Sequence, residues 1–289
     1  MGRMTEDAGG QRDAPIAARV HLAHAIVQKL AEDHGIDLLH LKGPAVLPGL
    51  RPEGKQSSDV DVLVRPSHLA RLVEVLESVG WEKRTDFATG SVFAHAANWW
   101  HDDWGWIDVH TMWPGVGIDP EAAFDVFLRD RVWREIAHWG CPVPDRVAQR
   151  LILVLHAARS RGNRDVDRAW TAAEPDEQAA VRALAVELDA EVALAAGIGE
   201  LELHRHHPSY RLWKHFTEGG SRLDEWRARM AAAPTLRAKA ELVTAALRVN
   251  QDHLRMELGR PPTRDEVRAR QRLRVRRAAD ELTRRVRRG

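Results

Sequence analysis

Two aspartates flank a single valine in Asp59-Val60-Asp61, and a third stands in Trp106-Ile107-Asp108-Val109-His110. On a strand, residues two apart share a face, so Asp59 and Asp61 point one way and Val60 the other. Carboxylates arranged like this hold hard divalent cations through oxygen. Two such ions about 4 Å apart neutralise a polyphosphate and activate an oxygen nucleophile. A polar strand face open to water would carry the same spacing. Here, though, Val62-Leu63-Val64 continues the segment as a buried strand, where a charge is costly unless it is paired or bound to metal. Asp108 lies between Ile107 and Val109 and is the natural third carboxylate from a neighbouring strand.

Histidines and a lysine cluster in the same stretches. His110 follows Asp108 by two and so shares its face, where it could orient Asp108, contact a substrate or make a purely structural hydrogen bond. His95 is placed on an adjoining strand, with the same alternatives open. With His101, Asp102 and Asp103, these histidines match no familiar zinc spacing. Trp99, Trp100, Trp104, Trp106 and Trp113 crowd the region, as sheet-face packing or as a surface on which a base could stack.

These groups need elements to position them. Ile16, Val20, Ala23, Val27 and Leu30 recur at helical spacing, predicting a helix over 14–34 that Gly35 stops. Ile36 to Leu41 reads as a strand, broken at Lys42-Gly43-Pro44, with a short helix expected through Ala45 to Leu50. Arg51 to Ser58 is a polar loop, and Asp59 to Val64 is the next strand. Ser67 is expected to cap a helix ending at Gly80. Trp81 to Arg84, Ser91 to Ala96 and Trp106 to Thr111 read as further strands.

After Cys141-Pro142-Val143-Pro144 the pattern becomes helical, with helices expected over 147–158, 177–195 and 238–254. The expected class is therefore α+β: a tail over 1–13, a small mixed-sheet domain over 14–145 and an all-helical domain over 146–289. On the first of these helices His156 is followed by Arg159, Arg161 and Arg164, whose guanidinium groups could reach phosphate oxygens across an interdomain cleft. From Pro262 to Gly289 there are eleven arginines and four acidic residues. That segment reads either as a solvated helix anchored by Val267, Leu273, Val275, Leu282 and Val286, or as a footprint for RNA or another polyanion.

The bulk numbers exclude more than they specify. Across 289 residues, 43 basic and 42 acidic side chains leave a net charge of +1, which names no partner. The single cysteine, Cys141, rules out an intramolecular disulfide and a cysteine-rich zinc site. No stretch approaches the ~18 apolar residues that span a bilayer, and residues 1–15 carry no apolar signal core, so a cytoplasmic location with no membrane partner is expected.

Leu41-Lys42-Gly43-Pro44-Ala45-Val46-Leu47, then Ser58-Asp59-Val60-Asp61-Val62-Leu63-Val64, then Ile107-Asp108-Val109-His110, resembles the DNA polymerase β-type nucleotidyltransferase superfamily. More narrowly, it is similar to the bacterial uncharacterised nucleotidyltransferase family, best over residues 20–115. The resemblance implies transfer of a nucleoside monophosphate from an NTP, ATP included, to a hydroxyl or phosphate acceptor. Mg²⁺ or Mn²⁺ would be held by Asp59, Asp61 and Asp108, and Asp108 would help deprotonate the attacking hydroxyl.

By the same resemblance, Gly43 opens the turn over the triphosphate, and Lys42 either meets a phosphate or pairs with Asp59 or Asp61. A histidine is common on the first helix after the catalytic domain, which draws attention to His156. The acceptor is left open among a small molecule, a peptide or protein, and an RNA end. Two departures stand out: Pro44 replaces the serine usual after the turn glycine, and Lys55-Gln56-Ser57-Ser58 replaces an Arg-Gly before the first aspartate. Lys55, Ser57 or Ser58 could supply the missing donors. The competing expectation is a nucleotide- or RNA-binding module on the same fold that has lost turnover.

Overall fold

The computed structural model describes residues 14–52, 54, 57–87, 95–160, 164–233, 235–247, 249–258 and 260–286. The expected tail over 1–13, strand residues 91–94, Lys55 and Arg161 lie outside these.

Helix α1 (Ile16–Asp33) precedes strand β1 (Leu38–His40), and β2 (Asp59–Val64) leads into α2 (Leu69–Ser78). Strands β3 (Glu82–Lys83), β4 (Ala96–His101) and β5 (Gly105–His110) complete a five-stranded sheet in the order β1-β2-β5-β4-β3. Only β2 and β5 pair in parallel, so the sheet is mixed. Alternation divides its two faces. Val60, Val62, Val64, Ile107 and Val109 enter a core with Val20, Val27, Leu72 and Leu76 from the two helices. Asp59, Asp61, Leu63, Asp108 and His110 are left on the other face.

That second face is apolar at one end and polar at the other. Leu39, Leu41 and Leu63 share a core with Trp113, Phe124, Leu151, Leu155 and Trp213. These partners come from α3 (Pro120–Arg129), α4 (Arg146–Arg159), α7 (Tyr210–Glu218) and the Trp113 loop, so the helices cover the sheet by the apolar effect of a shared interior. Between Arg129 and Arg146 runs a hairpin of β6 (Val132–Ile136) and β7 (Trp139–Val143). Helices α5 (Pro175–Glu187) and α6 (Glu191–Ile198) follow α4. Beyond α7 come α8 (Arg222–Ala232), α9 (Leu236–Leu247), α10 (Gln251–Leu258) and α11 (Arg264–Val286). Among the described residues, no helix is long and apolar enough to cross a membrane.

Several sequence expectations are corrected. The turn after β1 is a short 3₁₀ segment, Gly43–Ala45, and Val46 is already extended, so no helix runs to Leu50. Ser67 does not cap α2, since its hydroxyl and N–H go to Glu121 and a 3₁₀ turn leads into the helix. The fourth strand runs from Ala96 through Trp99 and Trp100 to His101, beyond the expected end at Ala96. Helix α3 and β6 are not expected from the sequence, and β7 runs through Cys141-Pro142-Val143, the expected domain boundary. The helix expected over 177–195 is two, parted at Leu188 to Ala190, where Asp189 has φ 50°. The helix expected over 238–254 is likewise two. In α11, Leu273 and Val275 are exposed rather than buried anchors.

Candidate active site

The polar half of the sheet face is built by pairing. In the parallel register of β2 and β5, Asp61 lies opposite Asp108 and Leu63 opposite His110. Across β5, Asn98 of β4 lies opposite Asp108. Carboxylate oxygens of Asp61 and Asp108 and a ring nitrogen of His110 all fall within 4.8 Å of one another. Asp59, one step back along β2, stands outside that group and takes a 2.8 Å hydrogen bond from the Ser57 hydroxyl.

Asp61 is only 1% exposed, and its two oxygens are treated unequally. Oδ1 accepts from Lys42 Nζ at 2.6 Å and from His110 Nε2 at 2.9 Å. Oδ2 is buried with no hydrogen-bond partner among the described residues. Burial by itself raises the carboxyl pKa, but Lys42 and His110 outweigh it and hold Asp61 well below the usual carboxylate range. Asp108 goes the other way. Burial first, then the like charges of Asp61 and Asp59, push it up to about 7. Asn98 Nδ2 donates to Asp108 Oδ1. The amide is oriented by Thr85, whose hydroxyl donates to Asn98 Oδ1 at 2.6 Å, so the NH₂ group must face Asp108.

These donors fit a hard divalent cation. With Nε2–H of His110 given to Asp61 Oδ1, the imidazole orients a carboxylate and the ion is left with oxygen. Asp61 Oδ2, unpartnered among the described residues, and the carboxylate of Asp108, set beside uncompensated negative charge, are oxygen ligands that such an ion would take in a buried site. Magnesium and manganese both accept that set, and the arrangement departs from the nitrogen- and sulfur-rich sets of zinc.

A shell of rings and cations closes over the carboxylates. His110 lies between His95, stacked at 5.3 Å, and Trp113 at 5.1 Å. Trp113 is held by its indole N–H, which donates to Ile152 O of α4 at 3.2 Å. Lys42 and Arg159 both approach the Trp113 ring, at 5.8 and 5.3 Å from its centre. His156 receives a 3.4 Å contact from Arg159 at its Nδ1 and lies 6.3 Å from Trp113. Burial keeps His95 and His156 neutral, with pKa values lowered to about 2 and about 3. Asp145, capping α4 through a 2.9 Å bond from Ala148 N, sets the helix whose last turn delivers His156 and Arg159.

Of the residues expected from sequence, Lys42, Asp61, Asp108, His110, His95 and His156 are brought to one locus. Gly43 lies at the turn with φ 60°, where a Cβ would meet Ser57 Cβ at 2.9 Å. Ser57 braces Asp59, and Ser58 is exposed beside it. Arg164 instead pairs with Asp167 on the surface, at 3.0 Å.

Sequence reasoning missed Asn98, Thr85, Gln149 and a buried chain behind the turn. Gln149 of α4, 1% exposed, accepts from Leu47 N at 2.8 Å and donates to Ala45 O and Pro144 O, tying the segment after Gly43 to the helix. In the buried chain, Gln28 Nε2 donates to Glu32, so Gln28 Oε1 must accept from His40 Nε2. His40 Nδ1 then accepts from His24 Nδ1 at 2.8 Å, and His24 Nε2 is left as a buried bare acceptor beneath Gly43. The spacing of His24 and Gln28 on one face of α1 was the only signal.

A family model described as uncharacterised nucleotidyltransferase matches residues 14–202. No curated protein matches the chain. Among solved structures, the chain is similar to the lincomycin-bound lincosamide antibiotic adenylyltransferase LnuA, at 14% identity and a TM-score of 0.37, covering 55% of this chain and 96% of that one. It is also similar to the antibiotic-resistance factor ANT(2'')-Ia, at 14% identity and a TM-score of 0.38, with 65% and 97% covered. An antigenic nucleotidyltransferase-like protein from Paracoccidioides brasiliensis gives 14% identity and a TM-score of 0.37, with 64% and 94% covered.

Proposed function

Because the chain belongs to the uncharacterised nucleotidyltransferase family, we propose that it moves a nucleoside monophosphate from an NTP to a hydroxyl or phosphate acceptor by a two-metal mechanism. The observation that carries this reading is the pairing of Asp61 with Asp108 in adjacent parallel strands, with Asp61 Oδ2 buried and, among the described residues, unpartnered. Asp59, Asp61 and Asp108 would hold two Mg²⁺ or Mn²⁺ ions. Bound there, the ions supply charge neutralisation for the triphosphate and lower the pKa of the attacking oxygen.

The chain's own residues do the rest. Lys42 and His110 fix the Asp61 carboxylate in one rotamer, and Asn98 fixes Asp108. The Gly43 turn, without a Cβ, lets the backbone come close to a phosphate. An acceptor oxygen attacks the α-phosphorus, its proton passes to the Asp108 carboxylate, and the bond to the leaving pyrophosphate breaks. Residues 14–145 form the catalytic domain in this reading, and 146–289 the helical substrate-binding domain.

The test is to incubate the protein with each of four labelled NTPs, Mg²⁺ or Mn²⁺, and candidate acceptors including total tRNA. Metal-dependent pyrophosphate release that disappears in Asp61→Asn supports the mechanism. Release that survives Asp61→Asn sinks it.

A further inference from the structure

Arg159 has no use in the folded chain that matches its cost. Its guanidinium is largely buried at the end of α4, against the face of Trp113. Among the described residues, its Nε is buried with no hydrogen-bond partner, and one terminal nitrogen reaches the neutral His156 ring at 3.4 Å. Among the described residues, no carboxylate forms an ion pair with it, although the charges of Asp61 and Asp108 act on it. A buried cation without a counter-ion is strongly unfavourable. A site that keeps one is prepared for an anion that arrives from outside.

The turn on the other side of the site is short of donors. Pro44, which follows Gly43, carries neither a backbone N–H nor a hydroxyl. Lys42, the cation on that side, is occupied by Asp61 at 2.6 Å. A polyphosphate lying over the Gly43 turn therefore needs positive charge from elsewhere, and the planar fork of Arg159, on the same Trp113 ring as Lys42, can meet two oxygens at once.

We propose that Arg159 binds the β- and γ-phosphates of the incoming NTP and hence the pyrophosphate that leaves, so that the helical half completes the phosphate site. The assignment rests on the nucleotidyltransferase reading and names which residue supplies its missing phosphate donor.

Inorganic pyrophosphate and a nucleoside monophosphate, each with Mg²⁺, are titrated calorimetrically into the wild type, Arg159→Gln and Arg159→Lys. Pyrophosphate affinity is expected to fall at least tenfold in Arg159→Gln and to recover in part in Arg159→Lys. Monophosphate affinity is expected to stay unchanged. Thermal melting separates a folding effect: Arg159→Gln should melt at or above the wild-type temperature, because it removes an unpaired buried charge, and should lose the pyrophosphate-induced rise. Wild-type pyrophosphate affinity in Arg159→Gln overturns the assignment, as does a lowered melting temperature with that affinity intact, which marks a stacking role only. If pyrophosphate binds through Arg159 but no NTP is turned over, the assignment stands and the enzymatic reading falls. If NTP is turned over with no dependence of pyrophosphate affinity on Arg159, the assignment falls alone.

Discussion

Asp61 and Asp108 face each other across two parallel strands, yet their carboxyl groups are driven in opposite directions. Lys42 and His110 both converge on Asp61 Oδ1, while Asp108, beside two negative neighbours, receives the amide of Asn98 at its Oδ1. One carboxylate is held ionised and the other keeps a proton up to about pH 7 when no cation is bound. This difference is what a pair needs if a cation is to complete it.

Loading the site with a divalent ion should therefore expel a proton. Near pH 6, calorimetry of Mg²⁺ or Mn²⁺ binding in buffers of different ionisation enthalpy should show proton release in the wild type and much less in Asp108→Asn. Equal release in both proteins would mean that the proton comes from another group.

Stability without metal should carry the same signature. Asp108 has its pKa raised from 3.8 to about 7, so its contribution is fully present below about pH 3.8 and is lost as pH rises through 7. His24, His95 and His156, lowered from 6.5 to about 3, 2 and 3, act oppositely: their contribution is present above pH 6.5 and is lost as pH falls. The informative quantity is the difference between wild type and Asp108→Asn in denaturant unfolding with chelator present. It should shift against the wild type between about pH 4 and pH 7.

His110→Asn removes the donor that orients Asp61 while leaving every carboxylate. A loss of about 10- to 100-fold in metal affinity is expected, the usual scale for groups that orient a ligand. Metal affinity within a factor of two of wild type would show that Lys42 alone sets the carboxylate.

Gln149→Ala should destabilise the chain by about 2–4 kcal/mol, because buried backbone groups at Ala45, Leu47 and Pro144 lose their partner. Urea unfolding measures this. The apparent KM for NTP should rise at temperatures where the variant is still folded, since the Gly43 turn loses its tie to α4.

Gly43→Ala places a methyl where φ is 60° and Ser57 Cβ would lie 2.9 Å away. The backbone penalty alone is about 1–2 kcal/mol. Displacement of Ser57 should also free Asp59, so NTP binding is expected to weaken more than the melting temperature falls. Unchanged NTP affinity would remove the turn from the phosphate site.

Much of the site was legible because it is written in short-range patterns. A period of two put Asp59 and Asp61 on one face and Val60 and Val62 on the other, and that is how β2 lies. Asp108 could be chosen because Ile107 and Val109 show the same alternation. What stayed hidden depends on pairing across distance. Asn98 has no motif of its own and matters only because β4 pairs antiparallel with β5 in a register that sets it opposite Asp108. The β6–β7 hairpin lacked a signal because Pro142 and Gly140 interrupt its alternation, and its turn is made by Ala137 and His138 with positive φ, which their residue types do not announce.

The sequence by itself determined the α+β class, the carboxylate strand and the Lys42-Gly43 turn, because each depends on neighbours within a few residues. Only the tertiary structure decided which oxygen of Asp61 is engaged, that Asp59 stands apart from the Asp61–Asp108–His110 group, and that Arg159 comes to the sheet without a counter-ion among the described residues. Those outcomes are set by strand register and by the docking of α4 onto the sheet. Both follow from burying Leu39, Leu41 and Leu63 with Leu151 and Leu155, a long-range packing that no local spacing encodes.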